Sequence, residues 1–110
     1  MASVEINLAN VRDRESFHAE FAEVMGFPNF YGQNMNAWED CMSDLSTPDR
    51  VGMTGVQVTA GEDLVLALHG SVEFRERLPE IFAELFGSTA HVNRRKEAIP
   101  NASRLLLLPL

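Results

Sequence analysis

The run Leu64-Val65-Leu66-Ala67-Leu68 carries no polar side chain at any position. A half-solvated strand would alternate apolar and polar residues. A continuous run of this length predicts a strand covered on both faces or central in a small sheet. Arg104-Leu105-Leu106-Leu107-Leu108 predicts the last strand, and the alternating Val4-Glu5-Ile6-Asn7-Leu8 the first. Helical periodicity fills the intervals. Phe17, Phe21, Val24 and Met25 form one stripe, with Asp13 as its cap and Gly26 and Pro28 as its stop. Ser71 to Glu97 supplies a second helical stretch, with Phe74, Leu78, Ile81, Phe82, Leu85 and Phe86 as its buried stripe. Pro79 and Gly87 argue against one straight helix there. Val56-Gln57-Val58 predicts either a short edge strand or irregular chain. The order strand, helix, helix, strand, helix, strand implies parallel strands joined by right-handed crossovers. With three strands, the predicted fold class is α/β: a two-layer, three-stranded parallel β-sheet packed with helices. The 110 residues form a single domain in this reading.

The segment from Phe27 to Met42, FPNFYGQNMNAWEDCM, is the most informative for function. After the helix stop comes an aromatic pair, Phe30-Tyr31, on a short loop. Gly32 permits a tight backbone turn, and Asn34 caps a helix running from about Met35 to Leu45. At 100° per residue, Trp38, Cys41, Met42 and Leu45 fall on its apolar side, and Asn36, Glu39, Asp40 and Ser43 on its polar side. Two adjacent loop aromatics are hard to bury together, so one packs inward and the other is exposed as an interface anchor. Aromatics beside a partly acidic helix face suit a cationic protein partner better than a small molecule.

The net charge of −7 agrees with that sign. Such a surface repels nucleic-acid phosphates and speeds encounter with basic proteins. One cysteine excludes an internal disulfide and fits a reducing compartment. No secretory signal is visible at the start, and the apolar run Leu105–Leu108 is far too short to span a bilayer. These features predict a cytoplasmic protein with no membrane contact.

Catalytic readings find little support. Cys41 lies on the apolar helix side, and no motif joins it to His18, His69 or His91, so it reads as a core cysteine rather than a nucleophile. The histidines lack metal-ligand spacing. His69, at a strand end, reads as a surface or hydrogen-bonded histidine. Glu39 and Asp40 are adjacent carboxylates without a predicted water-excluding pocket. No enzyme activity, metal or other cofactor is expected. The basic run Arg94-Arg95-Lys96 complements a helix C-terminus, and it predicts ion pairing with acidic loops of the same chain rather than RNA contact.

FPNFYGQNMNAWEDCM resembles the signature of the barstar family, small acidic inhibitors of secreted ribonucleases. The order of elements resembles that family from Val4 to the last strand. The resemblance implies the same three-stranded parallel fold. It also implies a loop and second helix that plug a ribonuclease active site, acids standing in for substrate phosphates and an aromatic covering the catalytic base. Phe30 then matches the covering aromatic, Gly32 and Asn34 the loop backbone contacts, and Asp40 the central phosphate-mimicking acid. Cys41 matches a helix cysteine that need not touch the partner. Two positions depart: Asn36 stands where the best-known member has a second acid, and Glu39 where it has a tryptophan. The expected contact set is Phe30, Tyr31, Gly32, Asn34, Met35, Asn36, Glu39, Asp40, Ser43 and Asp44. The expected partner is a basic extracellular or toxin ribonuclease bound 1:1. The alternative is an acidic interaction module for another basic protein, without nuclease inhibition.

Overall fold

The computed structural model describes residues 2–110. Its elements run β1 (Ala2–Asn7), a single 3-10 turn (Leu8–Asn10), α1 (Arg14–Met25), α2 (Met35–Ser43), β2 (Leu64–His69), α3 (Ser71–Arg77), α4 (Pro79–Lys96) and β3 (Leu105–Pro109). The strands form one parallel sheet in the order β1-β2-β3, which makes the all-apolar run the central strand.

Register divides the sheet into two unlike faces. Val4, Leu66 and Leu107 align across the three strands, as do Ile6, Leu68 and Pro109. On this face Ile6, Leu64, Leu66 and Leu68 are fully buried in one core with Phe17, Phe21, Met25, Trp38 and Met42. On the other, Glu5, Ala67 and Leu108 align, and Leu106 and Leu108 are 41% and 46% exposed. His69 Nε2 lies 2.8 Å from Glu5 Oε1 on this face, the hydrogen-bonded histidine that the strand-end position suggested. A helical layer against one sheet face is the two-layer α/β arrangement.

The local signals set most helix ends. Asp13 caps α1 by accepting from the Ser16 amide at 2.8 Å, and the Ser16 hydroxyl receives the Asp13 amide in return. Gly26 ends the helix in the left-handed region at φ 68°. A side chain here would also collide with the Cα of Gly55, 2.9 Å from where its Cβ would stand. Gly55 belongs to the long loop after α2, and its amide donates to Met25 O at 2.8 Å. Proline divides the second helical stretch: α3 ends before Leu78, and Pro79 opens α4 at the position where a missing N–H costs nothing. One expectation shifts. Phe86 lies outside the core at 39% exposure, because α4 turns that face to solvent. Of the two alternatives for Val56–Val58, the chain takes the irregular one, with a single parallel bridge between Ser46 and Gln57.

Candidate protein-binding surface

The α1–α2 loop places its two aromatics differently. Tyr31 is half-buried, with its ring centroid 4.7 Å from that of Phe27 and its hydroxyl 2.6 Å from His18 Nδ1. Burial raises the Tyr31 pKa, keeping the phenol protonated, and lowers that of His18, favouring the neutral imidazole. A neutral pair of this kind is an uncharged anchor for the loop. Phe30, by contrast, is 75% exposed. One ring inward and one outward is what the paired aromatics predict.

The turn into α2 differs from expectation in one residue. The left-handed backbone falls on Gln33, at φ 53°, and not on Gly32. Gly32 contributes its carbonyl, which accepts from Asn34 Nδ2 at 3.2 Å. Asn34 then accepts from the Ala37 amide at 2.8 Å and caps the helix. A non-glycine residue in this region is uncommon and stores strain. It directs the chain so that Phe30 and Asp40 line the same shallow depression of about 190 Å³, together with Tyr31, Gly32, Ala37 and Met53. A larger concavity of about 350 Å³, lined by Arg12, Arg14, Arg77 and Glu80, holds none of the expected site residues.

Helix α2 turns Trp38 and Met42 fully into the core, and Cys41 is 2% exposed. Burial, then the nearby Asp40 and Asp44 charges, raises the Cys41 pKa and keeps the thiol protonated, the opposite of an activated nucleophile. Asn36 and Asp40 are exposed, and Met35, Ser43 and Asp44 are intermediate.

Glu39 departs most from expectation. It is not on the solvated face: its side chain is only 11% exposed. Its position is about 60° round the helix from Met42, at the edge of the apolar side, and α4 packs over that edge. Ser88 Oγ donates to Glu39 Oε2 at 2.8 Å, His91 Nδ1 lies 3.2 Å from the same oxygen, and Arg95 Nη2 donates to Oε1 at 3.3 Å. The carboxylate is a buried tie between α2 and α4, with both oxygens engaged. Arg95 continues outward: its Nη1 donates to Asp40 Oδ1 at 3.1 Å and to Ser43 Oγ at 3.3 Å. Asp44 is paired with Arg50 at 2.6 Å.

Within the basic run, Arg95 acts on acids of α2, while Lys96 feels the charge of Asp63 in the loop before β2. Asn93 binds β3 at both ends of its amide, donating to Leu105 O and accepting from Leu105 N, each at 2.9 Å. Lys96 is buried and donates to Ser103 O at 2.6 Å; burial pushes its pKa down to about 8. Ser88, His91, Arg95, Arg50 and Met53 are site neighbours that sequence reasoning missed. The basic cluster was visible in the sequence, but nothing in it specified which carboxylates Arg95 would reach. Among the described residues, no group of His, Cys, Asp and Glu could hold a metal ion, and no helix is long and apolar enough to cross a membrane.

The family model described as Barstar (barnase inhibitor) matches residues 1–106. The chain belongs to the barstar family. Its members are inhibitors of barnase-type ribonucleases rather than enzymes, and the barstar fold is the one described above. No individual curated protein matches the chain.

Proposed function

We propose that this protein binds a basic secreted or toxin-type ribonuclease of the barnase kind, one to one and in the cytoplasm, and blocks its active site. The contact surface is the α1–α2 loop with the outer face of α2: Phe30, Gly32, Asn34, Asn36, Asp40, Ser43 and Asp44, with Tyr31 and Met35 as partly buried supports. Glu39 shapes this surface from beneath rather than touching the partner. The observation that carries the reading is the meeting of an exposed aromatic, Phe30, and an exposed acid, Asp40, at one depression. A ribonuclease active site must bind phosphate with cations and present a base to the ribose. A carboxylate satisfies the first and an aromatic ring covers the second. Inhibition here is occlusion: it needs no cofactor and no contact with nucleic acid or membrane.

The test is a titration of barnase and of a panel of other small basic secreted ribonucleases, following RNA cleavage. Loss of activity against at least one enzyme at one equivalent is expected, with a 1:1 complex by light scattering. Unchanged cleavage across the panel at tenfold excess would leave only the interaction-module alternative.

A further inference from the structure

We propose that the cleft between the C-terminal end of α4 and the loop after α2 binds a short-chain carboxylate, held by Lys96 and Arg50. The cleft has a volume of about 230 Å³. That is below the range of about 300–1,000 Å³ usual for sites of drug-sized ligands, so the ligand that fits is small. Lys96 enters the cleft from the last turn of α4 and is 6% exposed. An ammonium carries three donors, and the protein supplies this one with a single acceptor, the Ser103 carbonyl at 2.6 Å. Asp63 is the carboxylate whose charge reaches it, and Asp63 is already engaged by the amide and the guanidinium of Arg104. A buried cation without a close counter-charge is costly, and an anion in the cleft would supply one.

The lining selects the class of anion. Lys96 and Arg50 bring positive charge and Asp44 negative, so the cleft is net cationic in a chain of net charge −7. Asp44 is committed to Arg50 at 2.6 Å, which leaves other donors of that guanidinium for a ligand. Leu45, Val58 and Ile99 line the same space with apolar side chains. A carboxylate on a short alkyl chain satisfies both halves of this lining, whereas phosphate would press a strongly hydrated anion against the apolar wall. Burial holds the Lys96 pKa down at about 8, and a bound carboxylate opposes that by favouring the ammonium. Binding therefore takes up protons, and it weakens as the pH rises through about 8.

The probe is butyrate, with phosphate and chloride at equal ionic strength as controls, applied to the full-length protein and to R50Q, K96M and K96Q. At neutral pH butyrate is expected to raise the melting temperature saturably, and the two controls are not. The Lys96 side-chain resonances are expected to titrate about one pH unit higher in saturating butyrate than in chloride. R50Q is expected to weaken butyrate by at least about fivefold, because it removes an exposed partner and leaves Asp44 unpaired beside the ligand. K96M and K96Q are each expected to abolish the saturable shift. An unmoved Lys96 titration in butyrate, read on the wild-type protein without any variant, overturns the proposal. An equal melting shift with chloride, or in K96M, overturns it as well. A larger effect of phosphate than of butyrate overturns the choice of a carboxylate. Each readout is taken on the free protein, so failure here leaves ribonuclease inhibition untouched.

Discussion

Glu39 and Asp40 are neighbours on one helix, yet they belong to different regions. Glu39 lies in the α2–α4 seam, where Ser88, His91 and Arg95 occupy its carboxylate. Asp40 stands on the outer face, 71% exposed and ion-paired with Arg95. The aromatic pair repeats the pattern: Tyr31 is tied to His18 from within, and Phe30 is left to solvent. In each pair one member fixes the scaffold and the other is available to a partner. The lesson is that an acid or an aromatic ring in a contact segment is not by that fact a contact. Removing a seam residue leaves buried groups unsatisfied and acts on stability, whereas removing an outer residue acts on binding.

The sharpest break of this comparison is Asp40→Ala. Inhibition of the cognate ribonuclease is expected to weaken by about 2 kcal/mol, the low end of the 2–5 kcal/mol range for truncating one member of a buried charge pair, a range to which barnase–barstar measurements contribute. The low end applies because Arg95 already shares the carboxylate. The melting temperature should scarcely move, as surface changes stay within about 0.5 kcal/mol. An unchanged inhibition constant would remove Asp40 from the contact.

Glu39→Ala should give the converse. Denaturant unfolding is expected to show a loss of about 1–3 kcal/mol, from the buried Ser88 hydroxyl losing its acceptor and Arg95 its anchor. Arg95 and His91 can rehydrate at the surface, which keeps the cost from being higher. Full stability combined with lost inhibition would move Glu39 to the outer face and invert the comparison.

The aromatics offer a milder version. Phe30→Ala is expected to cost about 1–2 kcal/mol in binding and nothing in stability. Tyr31→Phe should cost about 0.5–1.5 kcal/mol in stability, the worth of its hydrogen bond to His18, with inhibition almost unaltered. Isothermal titration and thermal melts on the same two variants separate these outcomes. The smallest effect is predicted for Gln33→Gly. Relief of the left-handed strain should raise stability by up to about 1 kcal/mol, offset in part by the greater backbone freedom of glycine in the unfolded chain. A loss of more than that would show the Gln33 side chain to have a role of its own.

Much of this was legible because it is decided locally. The capping chemistry of Asp13 and Asn34, the stop at Gly26 and the break at Pro79 each act within a few residues, and each stands where the sequence put it. The continuous apolar run of β2 announced a central strand, since only there are both edges and most of both faces shielded. Glu39 was misplaced for a reason of the same kind. Helical periodicity separates an apolar side from a polar one, but it cannot tell whether the boundary between them is covered by another helix. Phe86 fails in the mirror sense, an apolar residue at helical spacing that the packing of α4 leaves exposed.

The sequence by itself determined the order and type of the elements, the parallel sheet, the family, and the segment that carries the loop and α2. These follow from periodicity, turn chemistry and a compact motif, all read over short stretches of chain. Only the tertiary structure decided which residues of that segment face outward and what charge they present. Arg95 lies 55 positions from Asp40 along the chain, yet its guanidinium is within 3.1 Å of the carboxylate once α4 lies beside α2. Coulomb interactions depend on distance in space and on exposure to solvent, and both are fixed by packing between elements rather than within them.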